Sequence, residues 1–413
     1  MLARPLVVAA FGAIRAGSLT VVESGRSRTF GAGEPHGVLD VRSQRTWPFL
    51  LRGSRGLAES YARGYWDTPD LAGLIRVAAR NTQQMDSLRR RLHPLRAPFL
   101  RAAGTSRANG RRASRKQIAA HYDLGNEMFE LMLDPTMSYS CAWFAREDMT
   151  LEEAAIAKLD LVCDQLALGP DDHLLEIGTG WGGLAIHAAK TRGCRVTTTT
   201  ISREQRDRAV ASIREAGVGD RVTVLLEDYR DLRGRYDKLV SIEMIEAVGW
   251  RNFGVFFRKC SELLTHTGAM LLQAITIDDR AYEIEKRTRS FIRTYIFPNG
   301  CLPSLEVIRR CVAHQTDMRE IGLIDLTSSY VRTLRAWRAN FDRNVARLAE
   351  LGYDERFRRI WRLYLAYCEA GFAERRIGDV QLLLAKPGYR AEPARSSRRV
   401  SSSVMRAQSA TVS

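Results

Sequence analysis

Apolar residues recur along the chain at two spacings, and the switch between them marks out its elements. Residues 19–22 and 37–41 alternate apolar and polar side chains, the period of a half-buried strand. From Trp47 onward the period becomes helical, and Asp70 stands where it could cap a helix beginning near Leu71. Beyond Gln117 the two patterns take turns. Thr150-Leu151-Glu152-Glu153 has capping-box spacing and opens an amphipathic run to Leu168. Residues 173–177, 195–201, 222–226, 236–242 and 269–276 read as strands, with helices predicted at 184–189 and 204–216. This alternation predicts an α/β fold with a mostly parallel, doubly wound sheet and helices on both faces.

The length of 413 residues implies more than one domain, and an apolar content of 45% is enough to bury a sizeable core. Four segments are expected: a smaller α+β accessory domain over 1–103, a basic linker over 104–116, a catalytic domain over 117–388, and a disordered tail rich in Ser and Arg over 389–413. The formal net charge of +16 calls for an anionic partner, either nucleic acid or an anionic membrane surface. No nucleic-acid motif stands out, and the basic linker suits lipid headgroups. The 7 cysteines are scattered without a CxxC pair, and the histidines have no metal spacing, so no disulfide framework, no metal site and a reducing cytoplasm are expected. Residues 6–14 resemble a weak signal segment, but Arg15 interrupts them and a cleaved leader is not expected. No apolar run approaches the roughly 20 residues that span a bilayer, so membrane contact is expected to be peripheral, at the inner face of the cell membrane.

The predicted strand at 173–177 runs into Gly178-Thr179-Gly180-Trp181-Gly182-Gly183, a loop whose small residues let a ligand approach the backbone and the next helix's first amides. Such a loop alone could serve a dinucleotide, a flavin or S-adenosylmethionine. Glu176, two residues before the first glycine, favours the last of these. Dinucleotide enzymes place their acid at the end of the second strand, where this chain has Thr200-Ile201-Ser202. Asp228-Tyr229, after the third strand, stands where an adenine could be met.

The motifs 121–126 (HYDLGN), 139–144 (YSCAWF), 175–183 (LEIGTGWGG), 200–205 (TISREQ), 228–231 (DYRD), 240–249 (VSIEMIEAVG), 295–304 (YIFPNGCLPS) and 364–372 (YLAYCEAGF) together resemble the cyclopropane-fatty-acyl-phospholipid synthase family. That family includes members like mycolic-acid cyclopropane synthases and members like 10-methylene fatty acid synthases. The resemblance covers 117–386, and GLAESY (56–61) and GYWD (64–67) look like the family's accessory domain. It implies a Rossmann-like class I methyltransferase that transfers the methyl carbon of S-adenosylmethionine to a cis double bond of a phospholipid acyl chain. It also suggests a homodimer formed through the accessory domain.

By this resemblance Tyr139, Ser140, Glu176, Gly178, Thr179, Gly180, Gly182, Thr200, Ile201, Ser202, Gln205, Asp228 and Tyr229 would bind the cofactor. Cys141, Glu246, Ile275 and Tyr330 would cradle a bicarbonate that takes up the departing proton. Gln273 stands where many bacterial members carry His; it can hydrogen-bond bicarbonate but cannot titrate. Cys368 is expected to line the site as a small apolar residue rather than act as a nucleophile. An alkene attacking a sulfonium methyl leaves a carbocation that water would trap, so an apolar, aromatic site is expected. Tyr122, Phe129, Tyr139, Trp143, Phe291, Tyr295 and Phe297 lie in or near the motifs. Deprotonation of one cation can give a cyclopropane, or after a hydride shift a methylene branch, and Gln273 is compatible with both.

Overall fold

The computed structural model describes residues 3–82, 125–298 and 300–390. The basic linker at 104–116, Tyr122 within the 121–126 motif, and the tail beyond Arg390 lie outside the described residues.

A seven-stranded sheet forms the centre of the larger unit. Its strands are β5 (His173–Ile177), β6 (Arg195–Thr199), β7 (Val222–Leu225), β8 (Tyr236–Ile242), β9 (Leu264–Ile277), β10 (Arg319–Asp325) and β11 (Ile377–Ala385), in the order β10-β11-β9-β8-β5-β6-β7. The pairs from β7 through to β9 are parallel, and β11 runs antiparallel to both β9 and β10. The expected mostly parallel, doubly wound sheet is present. Helices cover both faces, so β5 carries an almost continuous apolar run, buried from Leu174 to Ile177. Between the strands, helices occupy Gly183–Arg192 and Arg203–Glu215, close to their predicted spans. Thr150 and Glu153 form the reciprocal capping box and start the Leu151–Gln165 helix. Neither β10 nor β11 is among the strands that the pattern predicts. Tyr389 is buried against the sheet, with the Lys238 ammonium 5.3 Å from its ring centre.

The smaller unit is a four-stranded sheet of β1 (Gly17–Glu23), β2 (Arg26–Ala32), β3 (His36–Val41) and β4 (Trp66–Asp67), in the order β2-β1-β3-β4. Strand β2 was not expected, because only Phe30 of its seven residues is buried and the apolar alternation is missing. The apolar start of the chain forms the Ala3–Phe11 helix, with Val7 buried and Leu6 55% exposed. Asp70 precedes the Leu71–Arg80 helix in extended conformation, but its side chain makes no capping bond.

The two units share a hydrophobic core. One cluster runs from Leu19, Trp66 and Leu74 into Trp337, Trp361 and Leu365 of the long helices Thr327–Arg343 and Glu355–Ala373. Arg359 joins them chemically. Its guanidinium donates to Tyr61 O at 2.6 Å, Trp66 O at 3.0 Å and Asp67 Oδ2 at 3.2 Å, and lies 3.9 Å from the Tyr61 ring centre. The GLAESY and GYWD motifs therefore form the surface onto which the catalytic unit packs. Gly56 sits so tightly that a Cβ there would meet Phe49 O at 1.8 Å. Arg76 and Arg80 bind Glu374 at 2.6 and 2.5 Å beside this joint.

Arg359→Met would leave the Tyr61 and Trp66 carbonyls without this donor and Asp67 with only Arg42 and the Thr68 N–H. Removal of one partner from such a buried set costs about 3 kcal/mol. Urea unfolding should show a midpoint lowered to match; an unchanged midpoint would place the joint elsewhere.

Candidate active site

The C-terminal ends of β5, β6 and β8 open onto a cavity of about 1190 Å³. This is where a doubly wound sheet binds its ligands. The cavity continues past the sheet, under the Ala3–Phe11 and Leu71–Arg80 helices, to Leu6, Val7, Phe11, Leu74 and Val77. Its volume exceeds the roughly 300–1,000 Å³ typical of a single small-molecule site.

One end of the cavity is the glycine loop. Gly178 has φ +109°, which an L side chain rarely adopts, and a Cβ on Gly183 would lie 2.4 Å from Thr136 O. Of the expected cofactor residues, Tyr139, Ser140, Glu176, Gly178, Thr179, Gly180, Thr200, Ile201, Gln205, Asp228 and Tyr229 line the cavity. Two stand behind the wall: Ser202 caps the Arg203–Glu215 helix by accepting from Gln205 N, and Gly182 is the turn before the Gly183–Arg192 helix. The Thr198 hydroxyl donates to Glu176 Oε2 at 2.6 Å and stands 2.8 Å from Thr179 Oγ1. Burial pushes the Glu176 carboxyl up to about 7, against the lowering effects of Thr198 and Lys158. Asp228 is gripped by Arg230 at 2.8 and 2.6 Å, while the Tyr229 hydroxyl is buried and unpartnered.

The expected bicarbonate cradle is organised around a residue that the sequence analysis passes over. Glu243 follows β8 directly, with a backbone φ of 49°. Its Oε1 accepts from Cys141 N at 2.8 Å and from Gln273 Nε2 at 2.8 Å, and its Oε2 accepts from Tyr330 OH at 2.5 Å. Gln273 Nε2 also donates to Asp379 Oδ2 at 3.1 Å, and Gln273 Oε1 accepts from Gln381 at 2.9 Å. Ile275 N donates to Glu246 Oε1 at 2.6 Å, leaving Glu246 Oε2 buried without a partner. Glu243, Glu246, Ile275 and Tyr330 reach the cavity wall, whereas Cys141 and Gln273 do not. Glu243 stands in front of them. A bicarbonate held by Cys141, Gln273 and Tyr330 would need the protons that Glu243 already holds, so the residues as arranged do not fit it.

Three carboxyl groups thus share a dry region, and their surroundings separate them. Burial raises all three. Glu243 has three donors aimed at it, so it holds the negative charge. Glu246 is pushed up to about 8, by burial first and then by the charge on Glu243, and Asp379 is pushed well up by the same causes. Burial and the adjacent Glu243 also hold the Tyr330 phenol protonated, which keeps it a donor. The buried Lys158, whose pKa burial lowers against the raising effect of Glu243, donates to Ser140 Oγ at 3.1 Å.

Aromatic groups close the rest of the wall. Tyr139, Phe297, Tyr330, Tyr364, Tyr367 and Phe372 all line it. The Tyr139 and Tyr364 hydroxyls bond each other at 2.9 Å, and Tyr330 stacks on Phe372 at 4.3 Å. Of the aromatics expected from the motifs, Tyr139 and Phe297 face the cavity, while Phe129 and Phe291 are buried core and Trp143 and Tyr295 lie off the wall. Sequence reasoning missed Tyr364, Tyr367 and Phe372, although the 364–372 motif carries all three. Cys368 lines the cavity, and burial pushes its thiol up to about 12, so it stays neutral there. The Cys141 thiol is likewise pushed well up by burial; only the Cys141 N–H serves Glu243.

The shift at Glu246 has a consequence for stability. A carboxyl raised from 4.5 to about 8 binds a proton in the folded state that the unfolded chain has released. Its contribution is therefore complete below pH 4.5 and is lost as pH rises through about 8. Glu246→Gln keeps an acceptor for Ile275 N and removes this term. The Tm of the parent relative to Glu246→Gln should fall between pH 5 and pH 8; a pH-independent difference would mean that Glu246 is ionised.

Comparison with known proteins agrees with this geometry. The family model for mycolic acid cyclopropane synthetase matches residues 109–382. The chain is 39% identical to a tuberculostearic acid methyltransferase of Mycobacterium tuberculosis, over 81% of this chain and 79% of that protein. It is 37% identical to the cyclopropane-fatty-acyl-phospholipid synthase of Escherichia coli K12, over 81% of this chain and 82% of that protein. The structure of a mycolic acid cyclopropane synthase complexed with SAH and CTAB superposes with a TM-score of 0.62 at 32% identity, covering 66% of this chain and 98% of the other. The sheet order, the glycine loop and these matches make the fold that of a class I methyltransferase. The chain belongs to the mycolic acid cyclopropane synthetase family and is an S-adenosylmethionine-dependent methyltransferase of the cyclopropane synthase type.

Proposed function

We propose that the protein transfers the methyl carbon of S-adenosylmethionine to the cis double bond of an unsaturated acyl chain in a membrane phospholipid, and that proton loss then closes a cyclopropane ring. The observation that carries this reading is the continuity of the cavity. It begins at the glycine loop and runs between apolar side chains into the N-terminal unit, a shape suited to a long chain presented end-on to the cofactor.

S-adenosylmethionine supplies an electrophilic methyl group carried on a sulfonium. The loop at Gly178 and Gly180 would take its polar end, with Glu176 facing the ammonium group, and Tyr229 and Ile201 would border the adenine. The aromatic walls have two tasks. They exclude water from the cation formed on the chain, and their ring faces favour its positive charge. The mutual bond of Tyr139 and Tyr364 satisfies two hydroxyls without water. Among the described residues no helix is long and apolar enough to cross a membrane. The net charge of +16 supports peripheral docking on an anionic lipid surface. A homodimer and a cytoplasmic location at the inner face of the membrane belong to the same proposal.

A second product, the 10-methylene branch, is favoured by the similarity to a tuberculostearic acid methyltransferase, and Gln273 is compatible with either product. Incubation with methyl-labelled cofactor and mono-unsaturated phospholipid vesicles should put label in the lipid. Mass spectrometry before and after hydrogenation should show a ring rather than a reducible branch. Label absent from the lipid would sink the proposal, and a reducible product would select the second reading.

Glu176 adds a pH test of the cofactor site. Below about pH 7 its carboxyl is neutral and has no charge for the ammonium group. Cofactor affinity measured by calorimetry should rise as pH increases through 7, and Glu176→Gln should flatten that rise. An equal slope in both proteins would remove Glu176 from the ammonium contact.

A further inference from the structure

We propose that Glu243 is an internal replacement for bicarbonate: its carboxylate is the group that accepts the proton from the cationic acyl chain. This inference rests on the acyl-chain reading above.

The donors make the case. Apart from Glu246 itself, each group expected to hold bicarbonate already donates to a protein carboxyl. Cys141 N–H, the Gln273 amide and the Tyr330 hydroxyl serve Glu243, and Ile275 N–H serves Glu246. A carboxylate and a bicarbonate present the same planar O–C–O edge, so one set of donors holds either. Glu243 reaches the cavity and Cys141 and Gln273 do not, which puts the Glu243 oxygens between the donors and any ligand. The two neighbouring carboxyls cannot take its place as anions, since burial and the charge on Glu243 hold both protonated.

The backbone supplies an independent sign. Glu243 holds φ at 49°, in the left-handed region, at a cost of about 1–2 kcal/mol for a residue with a side chain. Its N–H is fixed to Gln273 O at 2.9 Å, so the conformation is imposed by the end of β8. Glycine would adopt it without strain. A long acidic side chain kept at such a point, over-determined by three donors, has the character of functional strain rather than of packing.

The step balances within these groups. A C–H bond adjacent to the cationic carbon breaks. Its electron pair forms the third C–C bond of the ring, or the C=C of a methylene branch. The proton goes to a Glu243 oxygen and is released to solvent once product leaves. No oxidant or further reactant is required.

Glu243→Gly should fold, because it relieves strain and opens a void of carboxylate size bounded by free donors. Turnover is measured with labelled cofactor and vesicles, in CO2-free buffer and with millimolar bicarbonate. The parent should change by less than about twofold between the two buffers, whereas Glu243→Gly should lose about 100-fold without bicarbonate and recover at least tenfold with it. Glu243→Gln fills the cradle with a neutral amide and should be inactive in both buffers, with its fold verified by thermal unfolding. Titration with 13C-labelled bicarbonate, read by NMR without lipid, should show saturable binding to Glu243→Gly and none to the parent. Saturable binding to the parent, parent activity that collapses without bicarbonate, or full activity of Glu243→Gln would each overturn the proposal. A parent that binds no bicarbonate yet places no label in lipid would instead count against the acyl-chain reading.

Discussion

A charge buried among apolar walls persists only where donors face it, and this constraint organises the centre of the molecule. Desolvation of a carboxylate costs several kcal/mol even after relaxation. Hydrogen bonds to a charged group return about 1.5–3 kcal/mol each. The three donors on Glu243 are therefore of the right order to keep it ionised. Those donors come from the segment before the Leu151–Gln165 helix, from β9 and from the Thr327–Arg343 helix. Their convergence ties together the sheet and the helical cap that covers it. Glu246 and Asp379 lie in the field of that one charge, which with burial pushes both up, and the buried Lys158, itself pushed down by burial, acts to lower Glu243.

The second constraint is that a long apolar channel must be enclosed without filling. The catalytic unit cannot enclose it alone. The cavity runs out from the sheet between the two units, and the N-terminal helices Ala3–Phe11 and Leu71–Arg80 complete its wall. Arg359 holds that arrangement by satisfying two carbonyls and Asp67 across the joint. The binding channel and the stability of the interface are thus one problem. The sequence divides the chain into an accessory segment and a catalytic one, and packing unites them around a common core.

Much of the sheet was legible because parallel strands buried on both faces leave short apolar runs between amphipathic helices, and β5 to β9 all carry that signature. Strands β2, β10 and β11 did not show it. Phe30 is the one buried residue of β2, and β10 is an edge strand that exposes Ile321 and Leu323. Partners far apart in sequence define β11, which pairs with β9 from Ile377↔Ile277 to Ala385↔Ala269. Asp70 illustrates the limit of local rules: it occupies the capping position, yet its side chain makes no capping bond.

The sequence by itself determined the fold class, the glycine loop with Glu176, and the family, because each resides in residues close together along the chain. Glu246, within the 240–249 motif, and Ile275 and Tyr330, through the family resemblance, were also expected at the site, and all three line the cavity. What only the tertiary structure decided is where the donors point. Cys141, Gln273 and Tyr330 lie on three elements, and no spacing rule shows that all three converge on Glu243, a residue silent within its own motif. Hydrogen-bond competition is a three-dimensional property: a carboxylate excludes another anion only by reaching the same protons first.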